Sequence, residues 1–361
     1  MKALKIGNLL ATVPIVQGGM GVGISLSGLA SAVANQGGVG VISSAGLGAI
    51  YNNYSKDYRA ASIWGLKEEL RKAREATRGI VGVNVMVAMS NFADMVKTAV
   101  AEKADIIFSG AGLPLNLPSF LTEGAKTKLA PIVSSARAAK LLCQKWFSEY
   151  KYIPDAIVVE GPKAGGHLGY KEEQLADEHF SLEALVPEIV AEVRAFGAEH
   201  DCHIPVIAGG GIYTGEDIYR IMQLGADGVQ MGTRFLTVEE CTVSDAYKER
   251  VLAAKDSDTI VTGRGSGHPV RCLKNKFSRN VRKLEADLTK NGDELEAMYV
   301  GSLRRAVEGD VDNGSMMAGQ VAALVHERKT AQEVIDELMA QAQAVGARTL
   351  QQAADANAVR G

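Results

Sequence analysis

The stretch Ile157-Val158-Val159-Glu160-Gly161-Pro162-Lys163-Ala164-Gly165-Gly166-His167-Leu168-Gly169-Tyr170 puts an acid–base side chain, His167, at the end of a glycine-rich turn. A histidine in that place can move protons near neutral pH. The β-branched run before it reads as a buried parallel strand, and Gly161, Gly165, Gly166 and Gly169 let the backbone bend sharply and approach a flat ligand. Taken alone, Gly-Gly-His describes a surface loop as readily as a catalytic one, so the rest of the chain has to decide.

Two further glycine turns carry a second kind of chemistry. Ala208-Gly209-Gly210-Gly211-Ile212 and Gln230-Met231-Gly232-Thr233-Arg234-Phe235 both follow short apolar runs. Backbone N–H groups at such turns, helped by the Thr233 hydroxyl and a following helix N-terminus, bind phosphate. One turn of this kind is explained as a tight connection. Two on successive strands imply a phosphate-bearing ligand whose body lies towards Gln17, Gly18, Asn84 and the His167 loop.

These residues need a scaffold that brings strand ends together. Strands are expected at Pro14–Gln17, Val39–Ser43, Ile80–Met86, Ile106–Ser109, Pro131–Ser134, Ala156–Glu160, Pro205–Ala208 and Gly228–Met231. Apolar spacing of three and four predicts helices over 25–36, 65–77, 91–103, 118–127, 135–148, 182–199 and 214–224. Strand then helix, repeated to an eighth strand, is the pattern of an α/β fold of the TIM (β/α)8 barrel type, with a doubly wound open sheet as the alternative. A barrel sets its chemistry on the loops after the strands. Gly18-Gly19-Met20, Asn84, His167, Gly211 and Thr233 all fall there.

Beyond residue 240 the alternation stops, and helices are expected over 278–290, 295–307, 315–326 and 331–345. The expected organisation is a barrel over residues 1–240, a smaller, mainly helical domain over 241–345 above the barrel mouth, and a tail over 346–361.

Composition narrows the classes. With 361 residues, 39 Lys+Arg against 42 Asp+Glu and a formal charge of -3, the chain has no basic field for nucleic acid. No apolar run reaches the roughly 18 residues of a membrane helix, the N-terminus has no leader-like apolar core, and cytoplasm is the expected location. Cys143, Cys202, Cys241 and Cys272 show no metal or redox spacing and read as reduced thiols. His200, Cys202 and His203 sit close together, but on the face of the barrel away from its chemistry, and no metal is expected.

The ordered set Gln17-Gly18-Gly19-Met20, Gly82-Val83-Asn84-Val85, Ala164-Gly165-Gly166-His167, Ala208-Gly209-Gly210-Gly211-Ile212, Gly225 through Phe235 and Ala318-Gly319-Gln320 resembles the nitronate monooxygenase family over about residues 10–325. It is also similar to the FMN-dependent enoyl-acyl-carrier-protein reductases of the FabK type. The resemblance implies non-covalent FMN, held at Asn84, Gly165, Gly211, Gln230, Met231, Gly232 and Thr233. Gln17, Gly18, Gly19, Met20, Glu160, Gly166, Gly209 and Gly210 complete the expected cofactor-binding set, and His167 is the catalytic residue.

In one respect the chain departs from the first family. Nitronate monooxygenases commonly carry Gln where this chain has Glu160, and the enoyl reductases commonly carry Glu. The resemblance therefore implies oxidation of an alkyl nitronate by molecular oxygen to a carbonyl compound and nitrite, with NAD(P)H-dependent reduction of an enoyl thioester as the alternative. A small molecule and oxygen are the expected partners, and a homodimer is left open. A phosphosugar isomerase would use the same phosphate loops but should show charged residues at several strand ends. A flavin carrier without catalysis is the remaining class.

Four residues outside this set are secondary candidates. His179 reads as a solvated loop histidine, and His268 lies in a glycine-rich stretch resembling the family's link between domains, with contact to substrate the sharper reading and not the favoured one. Met316 and Met317 read as helix core, with the wall of an apolar pocket as the sharper reading.

Overall fold

The computed structural model describes residues 1–263 and 269–360. The chain opens with an antiparallel hairpin, β1 (Leu4–Ile6) and β2 (Leu9–Ala11), that buries Leu4, Ile6 and Ala11. Eight parallel strands follow: β3 (Ile15–Gln17), β4 (Val39–Ser43), β5 (Ile80–Met86), β6 (Ile106–Gly110), β7 (Lys128–Val133), β8 (Ile157–Glu160), β10 (Val206–Gly209) and β11 (Gly228–Met231). They close into a barrel in that order, with β11 hydrogen-bonded back to β3. The short β9 (Gly166–His167) stands outside the ring. All eight expected strands are therefore barrel strands, and the fold is a TIM barrel.

Side chains alternate along a strand, so one known inward residue fixes the rest. Val16, Val41, Phe108, Ala130, Val158 and Ile207 pack together inside the ring, and Leu4 and Ile6 close its lower end. Two residues further on, the same phase turns Gly18, Ser43, Asn84, Gly110, Ile132, Glu160, Gly209 and Gln230 inward as the next layer. That layer is the floor of the barrel mouth.

Helices α1 (Ser27–Asn35), α3 (Tyr58–Ala76), α4 (Phe92–Ala101), α5 (Ala136–Tyr150), α6 (Leu182–Glu199) and α7 (Gly215–Gln223) surround the barrel, with a single extra turn, α2 (Leu47–Ile50), after β4. α3 begins earlier than the apolar spacing suggests because Asp57 caps it, accepting from the Ala60 amide. The expected helix over 118–127 is reduced to a 3-10 turn at Leu117–Phe120. Gly124 stands at φ +77° and β7 starts at Lys128, so too few residues remain for a helix.

After the barrel come α8 (Asp245–Leu252), β12 (Thr259–Thr262), β13 (Val270–Leu273), α9 (Lys276–Leu284), α10 (Leu288–Tyr299), α11 (Ser302–Glu308) and α12 (Ala331–Arg360). The two strands depart from the mainly helical expectation: β12, β13 and β9 form an antiparallel sheet in which Val270 pairs with His167. Residues 315–319 are extended instead of helical. The Leu273 amide donates to the Met316 carbonyl at 2.8 Å and Cys272 bridges to Met317, so tertiary pairing overrides the local spacing. The long α12 runs through the stretch expected to be a tail. No helix among the described residues is long and apolar enough to cross a membrane.

Packing is closest where α1 lies on β4. A Cβ on Gly40 would sit 1.8 Å from the Ala30 carbonyl oxygen, whereas one on Gly292, in α10, would meet nothing within 4 Å. Gly40→Ala is expected to lower the unfolding free energy by about 3 kcal/mol, the upper range for an overpacked core. Gly292→Ala should raise it by about 0.5–1 kcal/mol through helix propensity. Thermal melts of the two variants check both signs.

Candidate active site

The floor layer opens into a cavity of about 290 Å³ at the C-terminal ends of the strands, near the lower end of the size range of small-molecule sites. Of the expected site residues, Gly18, Gly19, Met20, Asn84, Glu160, Gly165, Gly166, His167, Gly210, Gly211, Gln230, Met231, Gly232 and Thr233 line it. Gln17 and Gly209 do not.

Gln17 is fully buried and used up by the protein. Its Nε2 donates to Ser25 Oγ at 2.9 Å and its Oε1 accepts from the Val41 amide at 3.0 Å. Ser25 Oγ in turn accepts from the Met20 amide at 2.9 Å, so Gln17 shapes the Gly18-Gly19-Met20 turn from beneath. That turn lies against β5: a Cβ on Gly19 would come within 2.3 Å of Asn84 Cβ. Gly209 faces inward but has no side chain, and a Cβ there would meet the Gln230 carbonyl oxygen at 2.9 Å.

Gly210 and Gly211 take φ of +97° and +98°, a succession that L side chains rarely adopt. Among the described residues the amides of Gly210, Gly211, Gly232 and Thr233 have no acceptor. The α7 N-terminus, by contrast, is occupied by the protein: Thr214 and Asp217 form a capping box and the Gly215 amide donates to Gln341 Oε1 at 2.8 Å. The free donors at this end are therefore the loop amides and not the first turn of α7. Both loops are braced from behind by Arg234, which is 3% exposed, stacks over Tyr213 and pairs with Glu337 of α12 at 2.9 Å.

Ala318-Gly319-Gln320 closes one side of the cavity. The Gly319 amide donates to Thr233 Oγ1 at 2.8 Å and the Gln320 amide to the Lys163 carbonyl at 3.0 Å. The approach depends on Gly165, where a Cβ would lie 2.4 Å from the Ala318–Gly319 backbone. Met317 lines the cavity while Met316 is fully buried, and neither belongs to a helix.

His167 is carried on β9, after Gly166 at φ +77°, and its strand pairing to β13 continues in a bond from the Leu168 amide to the Pro269 carbonyl at 2.8 Å. The buried Arg271 donates to the Pro162 carbonyl at 2.9 Å and holds the other end of the same loop. Glu160 projects from the floor, where burial pushes its carboxyl up to about 7.

Two polar lining residues, Lys163 and Ser43, lie outside the expected set. Lys163 stands exposed at the rim beside Gly211, where a Cβ would touch its side chain at 3.1 Å. Ser43 ends β4, and the period-two phase that turns Val39 and Val41 inward was the signal that could have found it.

The remaining candidates lie elsewhere. His203 pairs with Asp227 at 3.0 Å, His200 packs on Phe147 and Phe196, and His179 pairs with Asp177 at 2.8 Å, which raises its pKa. His268 is outside the described residues.

Comparison with known proteins places this geometry among relatives. A curated carboxyl-CoA dehydrogenase of Mycobacterium tuberculosis, named for a hydroxy-methyl-oxo-octahydroindene substrate, is 27% identical, covering 90% of this chain and 92% of its own. A probable nitronate monooxygenase of Staphylococcus aureus is also 27% identical, over 85% of this chain and 88% of the relative. The solved structure of FabK from Thermotoga maritima superposes with a TM-score of 0.76 at 32% identity, covering 94% and 95% of the two chains. Nitroalkane oxidase from Streptomyces ansochromogenes shares the fold, with a TM-score of 0.71 at 22% identity over 94% and 97% of the chains. The nitronate monooxygenase family model matches residues 2–341, and the chain belongs to that family.

Proposed function

We propose that the chain is an FMN-dependent oxidoreductase that oxidises alkyl nitronates with molecular oxygen to a carbonyl compound and nitrite. The observation that carries the cofactor is the convergence of the Gly210-Gly211 and Gly232-Thr233 turns, with unpartnered amides, on the cavity that His167 also lines. These residues fit a phosphate, and the inward amides of Asn84 and Gln230 on the floor fit the edge of a flat polar ring. When bound, FMN supplies the electron-acceptor chemistry that no side chain here offers.

The chain's own residues do the rest. His167 takes the proton from the carbon of a neutral nitroalkane, or donates a hydrogen bond to a nitronate oxygen. Lys163 adds a positive charge that draws an anion to the rim. Met20, Leu236, Leu303, Met317 and Val321 supply an apolar wall that excludes water and accepts an alkyl chain.

Glu160 favours a second reading, NAD(P)H-dependent reduction of an enoyl thioester. A carboxylate on the floor repels an anionic nitronate and is indifferent to a neutral thioester. The relative named as a carboxyl-CoA dehydrogenase also acts, by its name, on a thioester.

An anaerobic absorption spectrum separates the two. Bleaching of bound flavin by an alkyl nitronate, with little response to NADH or NADPH, is the expected result, and rapid bleaching by a nicotinamide alone selects the reductase. His167→Ala should retain flavin yet lose about 10²–10⁴-fold in kcat, the worth of a general acid–base group; full turnover in that variant would remove the histidine from the chemistry.

Glu160 carries its proton up to about pH 7 and is anionic above it. Affinity for a preformed nitronate is therefore expected to weaken as pH rises through about 7, and Glu160→Gln should flatten that dependence in a KM-against-pH series.

A further inference from the structure

We infer that Ser43 is a positioning residue of this cavity, its hydroxyl hydrogen-bonding the ring of the bound flavin. The inference deepens the cofactor reading above and rests on it. Ser43 is 2% exposed, lines the cavity, and its Oγ has no hydrogen-bond partner among the described residues. A buried hydroxyl without a partner costs free energy, which a fold avoids unless a ligand or water meets the group.

The direction of the hydroxyl follows from the strand. Val39 and Val41 of β4 belong to the apolar cluster inside the ring, so Ser43 faces the same axis one layer higher. It is in register with Asn84 of β5, and its amide donates to the Ser25 carbonyl at 3.0 Å, which fixes the strand end. Local alternatives are closed: the nearby Ser44 hydroxyl already donates to the Asn84 carbonyl at 2.9 Å. Gly21 lies beside Ser43: a Cβ there would sit 3.8 Å from Ser43 Oγ, an ordinary contact, and 3.1 Å from Ala45 Cβ. Ser43 and Asn84 thus form a polar pair on adjacent strands, on the side of the floor opposite Glu160 in the strand order β3-β4-β5-β6-β7-β8-β10-β11.

A hydrogen bond made only to the ligand has a signature that a structural hydroxyl lacks. In the flavin-free protein Ser43→Ala removes an unsatisfied buried group, so its melting temperature should be equal to or above that of the parent. On titration of the flavin-free protein with FMN, followed by quenching of flavin fluorescence, the same variant should bind about five- to tenfold more weakly, the value of one hydrogen bond. Its bound-flavin absorption band should also shift.

Ser43→Cys keeps the shape with a weak donor and guards against a folding defect in the alanine variant; it should show weakened binding with the parent's melting temperature. Equal FMN affinity and an unchanged spectrum in both variants would overturn the inference while leaving the cofactor reading intact. A lowered melting temperature of the flavin-free variants with unaltered affinity would make the hydroxyl structural. Parent protein that binds no FMN overturns the cofactor reading and this inference with it.

Discussion

Closure of the eight-strand ladder is the constraint on which the rest of the molecule depends. Once β11 bonds back to β3, no strand can slip by one residue without turning its apolar set outwards, so the inward phase of all eight strands is locked together. The lock is set low in the barrel by residues such as Val41, Phe108, Val158 and Ile207, and its effect is felt two residues higher. Ser43 and Glu160 point into the cavity because Val41 and Val158, two places earlier, are packed inside the ring, and Asn84 and Gln230 share that layer through their register with Ser43 and Gly209. The site chemistry is a continuation of the core.

What the ladder cannot do is close the cavity from above, and that falls to contacts between backbones. The loop after β8, the loop after β11 and the segment 318–320 meet through Gly165, Gly319 and Thr233. Distances of this kind exclude a Cβ, so the meeting point is specified by the absence of side chains. Arg234 and Glu337 brace it from the outside, and the β9–β13 pairing does the same for the His167 loop. The histidine is thereby tied to a segment more than a hundred residues later in the chain.

That distance explains what could be read in advance. The barrel was legible because its strands are buried on both faces and appear as β-branched runs, and its glycine turns because a positive φ at Gly210 and Gly211 demands glycine. Asn84, Glu160, His167 and Gln230 were legible from motif position. The sheet of β12, β13 and β9 was not, although Thr259-Ile260-Val261-Thr262 is β-branched, because its partner is a two-residue strand beside His167 and no local pattern announces it. Residues 315–319 have helical spacing and form none for the same reason. Gln17 illustrates the opposite error: the family motif includes it, but its side chain is spent on Ser25 and Val41, so its place in the motif reflects the shape of the turn it supports.

The charge pattern of the cavity bears on what can enter it. Its floor is neutral except for Glu160, which burial keeps protonated to about pH 7, and its rim holds Lys163. An anion approaching from outside meets the lysine first and the unpartnered loop amides beside it, and only then the floor. Below neutral pH nothing on that path is negative, whereas above it the single carboxylate faces whatever lies over the floor. A chain that kept Gln at this position would have no such dependence. A carboxyl at this one inward position of β8 therefore gives the floor a charge that an amide would not, and one that depends on pH.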